Sequence, residues 1–359
     1  MKKIYSCLVA IFLMGLVLIP MDKVTAGNKD RSGQAGASEL LINPWARSSG
    51  WGSVSTSCGQ GLEALYTNIA GTGFTKGTDI IFSYTDWLKG SGVSVMAFGL
   101  SQKLGQHGGV LTAAVMSMNF GEVDITTVNS PEPNLGTFKP ACININLGYA
   151  KAFSNSIYGG LAVKLVNESI SDVSATAIAV DAGIQYVTGE KEQVKFGIAL
   201  KNIGAPMRFS GDGLSLRAVI PGHDNSNDQF TMDQRSATYE LPATLRIGAS
   251  YDFLIGDMHR ITAAGNFTSN SFTKDQFTLG VEYGLKSYLM LRAGYTYQDG
   301  IFNSNVADRG TVFTGPSAGL TVSVPFSKEK EAGGIAIDYS YRATNPFQGT
   351  HSIGIKLNF

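Results

Sequence analysis

From Gly77 to the last residue the chain alternates apolar and polar side chains with a period of two, in runs of about ten residues. In VKFGIALK, Val194, Phe196, Ile198 and Leu200 share one face, and Lys195, Gly197, Ala199 and Lys201 share the other. TLRIGASYDF sets Leu245, Ile247, Ala249, Tyr251 and Phe253 against Thr244, Arg246, Gly248, Ser250 and Asp252. IAIDYSYR does the same with Ile335, Ile337, Tyr339 and Tyr341 against Ala336, Asp338, Ser340 and Arg342. Successive side chains of a strand point to opposite faces, so each run is a strand with one apolar and one polar face. A soluble sandwich alternates too, so length must separate the cases. Tilted strands of roughly 9–11 residues cross a bilayer, whereas soluble strands cluster near ~5–6. The apolar faces tend to finish in Tyr or Phe, as an interfacial aromatic girdle requires.

Fourteen such runs begin near Gly77, Gly92, Gly108, Pro140, Ser156, Ala175, Glu192, Ala237, Met258, Lys274, Ser287, Gly315, Ala332 and Thr350. An even number closes an up-and-down antiparallel transmembrane β-barrel with both ends on one side. The links sort by parity. Those after even-numbered runs are short, such as Phe153-Ser154-Asn155 and Gly189-Glu190-Lys191. The longest, Gly121 to Lys139, Asn202 to Ser236 and Asp299 to Thr314, follow odd-numbered runs. Short periplasmic turns and long outer loops are the expected arrangement.

Composition agrees with this reading. Of 359 residues 43 are Gly, well above the usual ~7%, and only 16% are charged against a usual ~25%. Lys2 and Lys3, the apolar run Leu8 to Ile19 and the small-residue site Val24-Thr25-Ala26 before Gly27 give the pattern of an export signal over residues 1–26. Its removal takes away three Lys and one Asp and leaves 25 basic and 27 acidic residues, a net charge of −2. That charge argues against a nucleic-acid partner, which calls for a basic field. Cys58 and Cys142 are the cysteines left, so at most one bridge forms.

Residues 27–76 lack the two-residue period. Gly61 to Ala70 places Leu62, Leu65, Tyr66 and Ile69 at helical spacing, with Gly71 to stop the helix. The residues alone fit either a periplasmic tail with one amphipathic turn or a hatch packed inside the lumen. Signals for chemistry are weak. Gly315-Pro316-Ser317-Ala318-Gly319 matches G-x-S-x-G, but it leads into the strand Leu320 to Phe326 rather than a turn and helix. His107, His223, His259 and His351 are scattered without ligand spacing, and no phosphate-binding loop appears. We therefore expect no enzyme, cofactor or metal. Inward charges such as Lys164, Lys195, Arg246, Arg292, Asp252 and Asp338 are expected to pair with each other or with the hatch.

The stretch Leu40 to Gly71 resembles the N-terminal signature of the PorV/PorQ family, outer-membrane barrels of the type IX secretion system related to FadL transporters. Pro44, Ala46-Arg47, Gly50-Trp51-Gly52, Tyr66 and Asn68-Ile69-Ala70-Gly71 carry the likeness, with Ile69 standing where the family usually has Pro. KNIGAP (Lys201 to Pro206), LPATLRIGASYDF (Leu241 to Phe253) and the ending from Asp338 add to it. The resemblance implies a luminal hatch over residues 27–76 and a fourteen-stranded barrel over residues 77–359. It also implies a Gram-negative, Bacteroidota-like outer membrane, with secretion-machinery proteins or cargo C-terminal domains as partners. The loop Asn202 to Ser236 then becomes the candidate partner surface, through Arg208, Phe209, Leu214, Leu216, Val219, Ile220 and Phe230. Those apolar side chains could equally pack down and close the barrel mouth. The ending resembles the signal read by barrel-assembly machinery, with Ser352, Gly354, Leu357 and a terminal Phe359. The alternative function is a FadL-like channel for hydrophobic small molecules, which needs an apolar luminal path. The inward faces read above are mostly polar or small and do not favour it.

Overall fold

The computed structural model describes residues 31–105, 108–132, 135–219, 229–256, 258–305, 309–327 and 333–359. The expected export signal, His107, Ile220 and His223 lie outside the described residues. Fourteen wall strands follow in chain order. They are β1 (Thr78–Trp87), β2 (Val93–Lys103), β3 (Val110–Asn119), β4 (Ala141–Ala152), β5 (Ile157–Ile170), β6 (Val173–Thr188) and β7 (Val194–Gly204), then β8 (Thr244–Ile255), β9 (His259–Asn270), β10 (Gln276–Leu285), β11 (Leu289–Gln298), β12 (Phe313–Pro325), β13 (Gly334–Thr344) and β14 (Thr350–Asn358). Each pairs antiparallel with its neighbour in sequence, and β14 returns to β1 to close the barrel.

Thirteen strands start within two residues of the expected positions. The exception is β8, expected from Ala237 and found from Thr244. The intervening residues are extended but belong to the mouth. Met207 and Tyr239 exchange backbone hydrogen bonds of 2.8 and 2.9 Å, and Leu241 is buried there. Alternation alone does not tell a wall strand from an extended segment laid across an opening.

The two faces are those of a membrane barrel. Ile198 and Ile353 point outward and are each 53% exposed, whereas inward Lys201 is 4% and Ser352 2% exposed. A soluble protein would reverse this, because apolar surface facing water is unfavourable by roughly 25 cal/mol per Å². The long connections, from β3 to β4, β7 to β8 and β11 to β12, all leave the wall at one end, called here the mouth. Tight turns such as residues 153–156 and 286–288 lie at the other.

The closing seam joins β14 to β1. Thr78 N–H donates to the Phe359 carbonyl at 3.1 Å, and Phe359 N–H donates to Thr78 O at 2.9 Å. Thr85 Oγ1 donates to Ser352 Oγ at 2.8 Å, inside the lumen. Ile353, Ile355 and Phe359 face outward, and the Phe359 ring lies 5.9 Å from that of Phe326. Gly354 leaves room for the hatch behind it, since a Cβ there would sit 3.3 Å from Ala46 Cβ. Deleting Phe359, or extending the chain with a charged tail, is expected to lower the yield of assembled barrel, measured as heat-modifiable migration in gels. An unchanged yield would show that the terminal residue is dispensable for closure.

Candidate functional site

Residues 31–76 run inside the barrel, which decides for the hatch over the tail. Arg31 pairs with Glu240 at 2.8 Å and Ala35 bridges to Glu240, so the segment begins at the mouth. It passes through a 3-10 turn (Ser38–Leu41) and a one-turn helix α1 (Ala46–Ser49), crosses the lumen, and reaches β1 through two 3-10 turns. The single helix expected over Gly61 to Ala70 is therefore corrected. Gly61–Tyr66 and Ile69–Phe74 are separate 3-10 turns, broken where extended Asn68 accepts Ala70 N–H on its side chain at 3.1 Å. Gly71 does not stop a helix. It lies within the second turn, where a Cβ would come within 2.3 Å of the Gly59 carbonyl, so the site favours glycine. Short helical segments have little stability of their own, so contacts with the wall set this conformation.

The residues of the N-terminal motif hold the hatch to the wall. Pro44 is buried beside Trp45, whose indole meets the Tyr66 ring edge-on at 5.5 Å. The Tyr66 hydroxyl accepts from Asn146 Nδ2 at 3.2 Å, and its carbonyl accepts from Lys201 Nζ. A Cβ on Gly50 would lie 2.8 Å from Gly319 Cα, and Gly52 has φ +72°, so both sites favour glycine. Asn68 Nδ2 donates to Thr56 O at 2.9 Å and to Ile184 O of β6 at 3.0 Å. Arg47 sits 3.3 Å from Glu63 and 3.6 Å from Glu282, and Arg292 and Arg260 also pair with Glu282 at 2.6 and 2.5 Å. Burial alone would weaken the charge on Arg47. Glu63 and Glu282 outweigh it and hold the guanidinium firmly protonated.

Most inward charges likewise pair rather than line an open path. Lys164 meets Asp181, and Lys195 meets Asp252, both at 2.7 Å. Asp338 accepts from Thr321. Removing one partner of a buried pair typically costs about 3–5 kcal/mol, so the pairs that join hatch to wall, Arg47 with Glu282 and Glu63 with Lys356, resist displacement of the hatch.

One sector of the inner wall departs from the sequence reading. Ile81, Val95, Ala97, Ala114, Met116 and Met118 point inward from β1, β2 and β3 and pack on Trp45, Leu62, Leu65 and Ile69 of the hatch. The inward face is thus apolar on this side. The signal lay in β2 and β3, which are apolar on both faces, whereas the expectation rested on β7, β8 and β13.

Between hatch and mouth lies a cavity of about 380 Å³. Leu41, Ile42, Trp87, Met118, Phe120 and Phe313 give it an apolar side, and Thr268, Asn270, Gln276 and Gln298 a polar one. Arg246 and Arg342 also line it. The Arg342 guanidinium lies 3.8 Å over the Phe313 ring. Arg246 Nε is buried without a hydrogen-bond acceptor among the described residues. Sequence reading found Arg246 as an inward charge. It missed Trp87 and Phe313, which sit at strand ends where nothing marks them as luminal. Glu39, Cys142 and Glu168 form the far edge, and burial followed by the Glu168 charge pushes the Glu39 carboxyl up to about 7. Cys142 and Glu168 also border a cleft of about 410 Å³ reaching towards Phe209 and Tyr239.

The candidate loop divides in its behaviour. Phe209 packs on Tyr239, with ring centroids 5.8 Å apart, and helps close the mouth. Arg208 is exposed, and Leu214 ends a 3-10 turn (Asp212–Leu214). Leu216 and Phe230 lie on a hairpin of Ser215–Ala218 with Phe230–Asp233, where Leu216 and Met232 are exposed. Cys58 and Cys142 are both free thiols, and desolvation pushes Cys58 up to about 11. Gly315 to Gly319 lies within β12, away from any strand-to-helix turn. His259 and His351 bond to Tyr283 and Tyr339 at 2.8 and 2.9 Å.

The hatch is tightest against β6, where a Cβ on Gly183 would lie 2.1 Å from Asn68 Oδ1. Gly183→Val, which suits a strand, is expected to displace Asn68 and expose the hatch to protease while the barrel stays heat-modifiable. Limited proteolysis of the purified variant checks this, and an equally protected hatch would contradict it.

The sequence matches no protein-family model and no curated protein. Solved structures match in fold. The CymD monoaromatic hydrocarbon channel is 12% identical, with 89% of this chain and 98% of that chain covered at a TM-score of 0.51. The Pseudomonas putida toluene transporter TodX is 11% identical, with 88% and 97% covered at 0.52. A Pseudomonas aeruginosa FadL homologue is 13% identical, with 88% and 98% covered at 0.51. At these identities the likeness is one of architecture: the chain adopts a FadL-like fourteen-stranded barrel fold with its N-terminal segment inside.

Proposed function

We propose that the protein is a non-enzymatic outer-membrane channel for a small hydrophobic molecule with an anionic or hydrogen-bond-accepting end. The observation that carries this is the cavity between mouth and hatch, where Trp87, Met118 and Phe313 face the unpaired Nε of Arg246. An apolar ligand body would gain by leaving water for that wall. A carboxylate would satisfy the Arg246 donor, a charge-assisted contact stronger than a neutral one. The fold shared with monoaromatic and toluene channels supports the reading. The hatch closes the lumen towards the turn end, so onward movement requires it to shift locally.

Arg246→Ala is expected to weaken laurate binding about 10-fold to 100-fold, the loss of roughly 1.5–3 kcal/mol for a hydrogen bond to a charged group. Toluene binding should change little. Titration of the detergent-purified protein, followed by tryptophan fluorescence, checks both. Absence of saturable binding for either ligand would overturn the proposal.

A second reading keeps the barrel as a type IX secretion component. It rests on the N-terminal motif and on the hairpin that exposes Leu216 and Met232 as a partner surface. A gentle-detergent pull-down of the tagged protein is expected to recover secretion-machinery or cargo proteins. Recovering none, with secretion intact after gene deletion, would dismiss it.

A further inference from the structure

Where the hatch meets the wall at the mouth, three acidic or thiol side chains converge from separate parts of the chain. Glu39 comes from the first hatch turn, Cys142 from the start of β4, and Glu168 from near the end of β5. Their donor atoms all lie within 4.8 Å of one another. Glu39 is 3% exposed, and its Oε1 receives no hydrogen bond among the described residues. No lysine or arginine is ion-paired to either carboxylate among the described residues. Elsewhere in this lumen carboxylates meet a lysine or arginine, as Asp181, Asp252 and Glu282 do. An orphaned buried carboxylate oxygen facing a thiol and a second carboxylate calls for a positive ligand.

We propose that Glu39, Cys142 and Glu168 form a binding site for a thiophilic divalent cation of the zinc class. A sulfur donor with two carboxylate oxygens suits zinc better than calcium or magnesium, which take oxygen donors. Small side-chain adjustments would bring the three donors to the roughly 2.0–2.3 Å of zinc bonds, leaving a fourth position for water. Tyr239, which donates its hydroxyl to Glu168, orients that carboxylate from the loop side, as outer-shell partners of metal ligands do. On binding, the Cys142 proton is released to solvent and the thiolate sulfur bonds the cation. Because Cys142 and Glu168 border both the mouth cleft and the luminal cavity, the ion would clasp the hatch to the wall between those spaces.

Cobalt(II) is the probe, added to the reduced, detergent-purified full barrel. The expected result is one saturable cobalt per chain with a thiolate-to-cobalt charge-transfer band that zinc abolishes. Cys142→Ser should remove the band, and Glu39→Gln and Glu168→Gln should each weaken cobalt binding about tenfold or more. Cys58→Ser should leave it intact. Heat-modifiable migration establishes that each variant is folded. Zinc should also slow hydrogen exchange over residues 36–42 in the wild type and not in Cys142→Ser. A folded wild type without saturable cobalt binding, as expected if the two carboxyls merely share a proton, overturns the proposal. So does a band that survives Cys142→Ser or disappears in Cys58→Ser.

Discussion

Every backbone N–H and C=O inside a bilayer must find a partner within the protein, and the rest of this structure follows from that demand. Fourteen strands satisfy it only when the last pairs with the first, so Phe359 bonds directly to Thr78 at the seam. Closure turns the apolar faces outward and leaves the polar faces to enclose a lumen. The molecule thus has its charges on the inside, and the interior must be filled or hydrated.

The hatch fills it. Its backbone lies against the wall where glycines remove the side chains that would block it, as at Gly197 beside Thr56 and Gly319 beside Gly50. Its charges complete the wall's, with Arg47 meeting Glu282 and Glu63 meeting Lys356. Its apolar residues, Trp45, Leu62 and Leu65, cover the apolar inner faces of β1, β2 and β3. A segment held by glycine contacts, ion pairs and apolar packing together is a core element of this barrel. The space it leaves, between its first turns and the mouth, is where a ligand could reside.

Much of the fold was legible in the order of residues. The period of two fixed which side chains face out, and Ile198, Tyr251, Tyr339 and Ile353 all do. The sorting of loops by parity held for every long connection. The failures share a cause. Ala237 to Ala243 alternates like a strand but lies across the mouth, and Gly71 reads as a helix stop but is a close-contact residue. In both, a local pattern was overridden by what the segment touches. The cavity was less visible still, because its lining comes from the hatch and from strands as far apart in the chain as β1 and β13, with no local spacing to join them.

Sequence alone determined the strand number, the inward and outward faces and the closing role of the C-terminal strand, since these follow from local alternation and chain length. Tertiary structure decided that residues 31–76 plug the lumen, that Arg47 pairs with Glu282, and that Glu39, Cys142 and Glu168 meet. Those outcomes depend on which inward-facing residues the closed barrel brings opposite one another. Curvature and register set that, and neither is written in any short stretch of the chain.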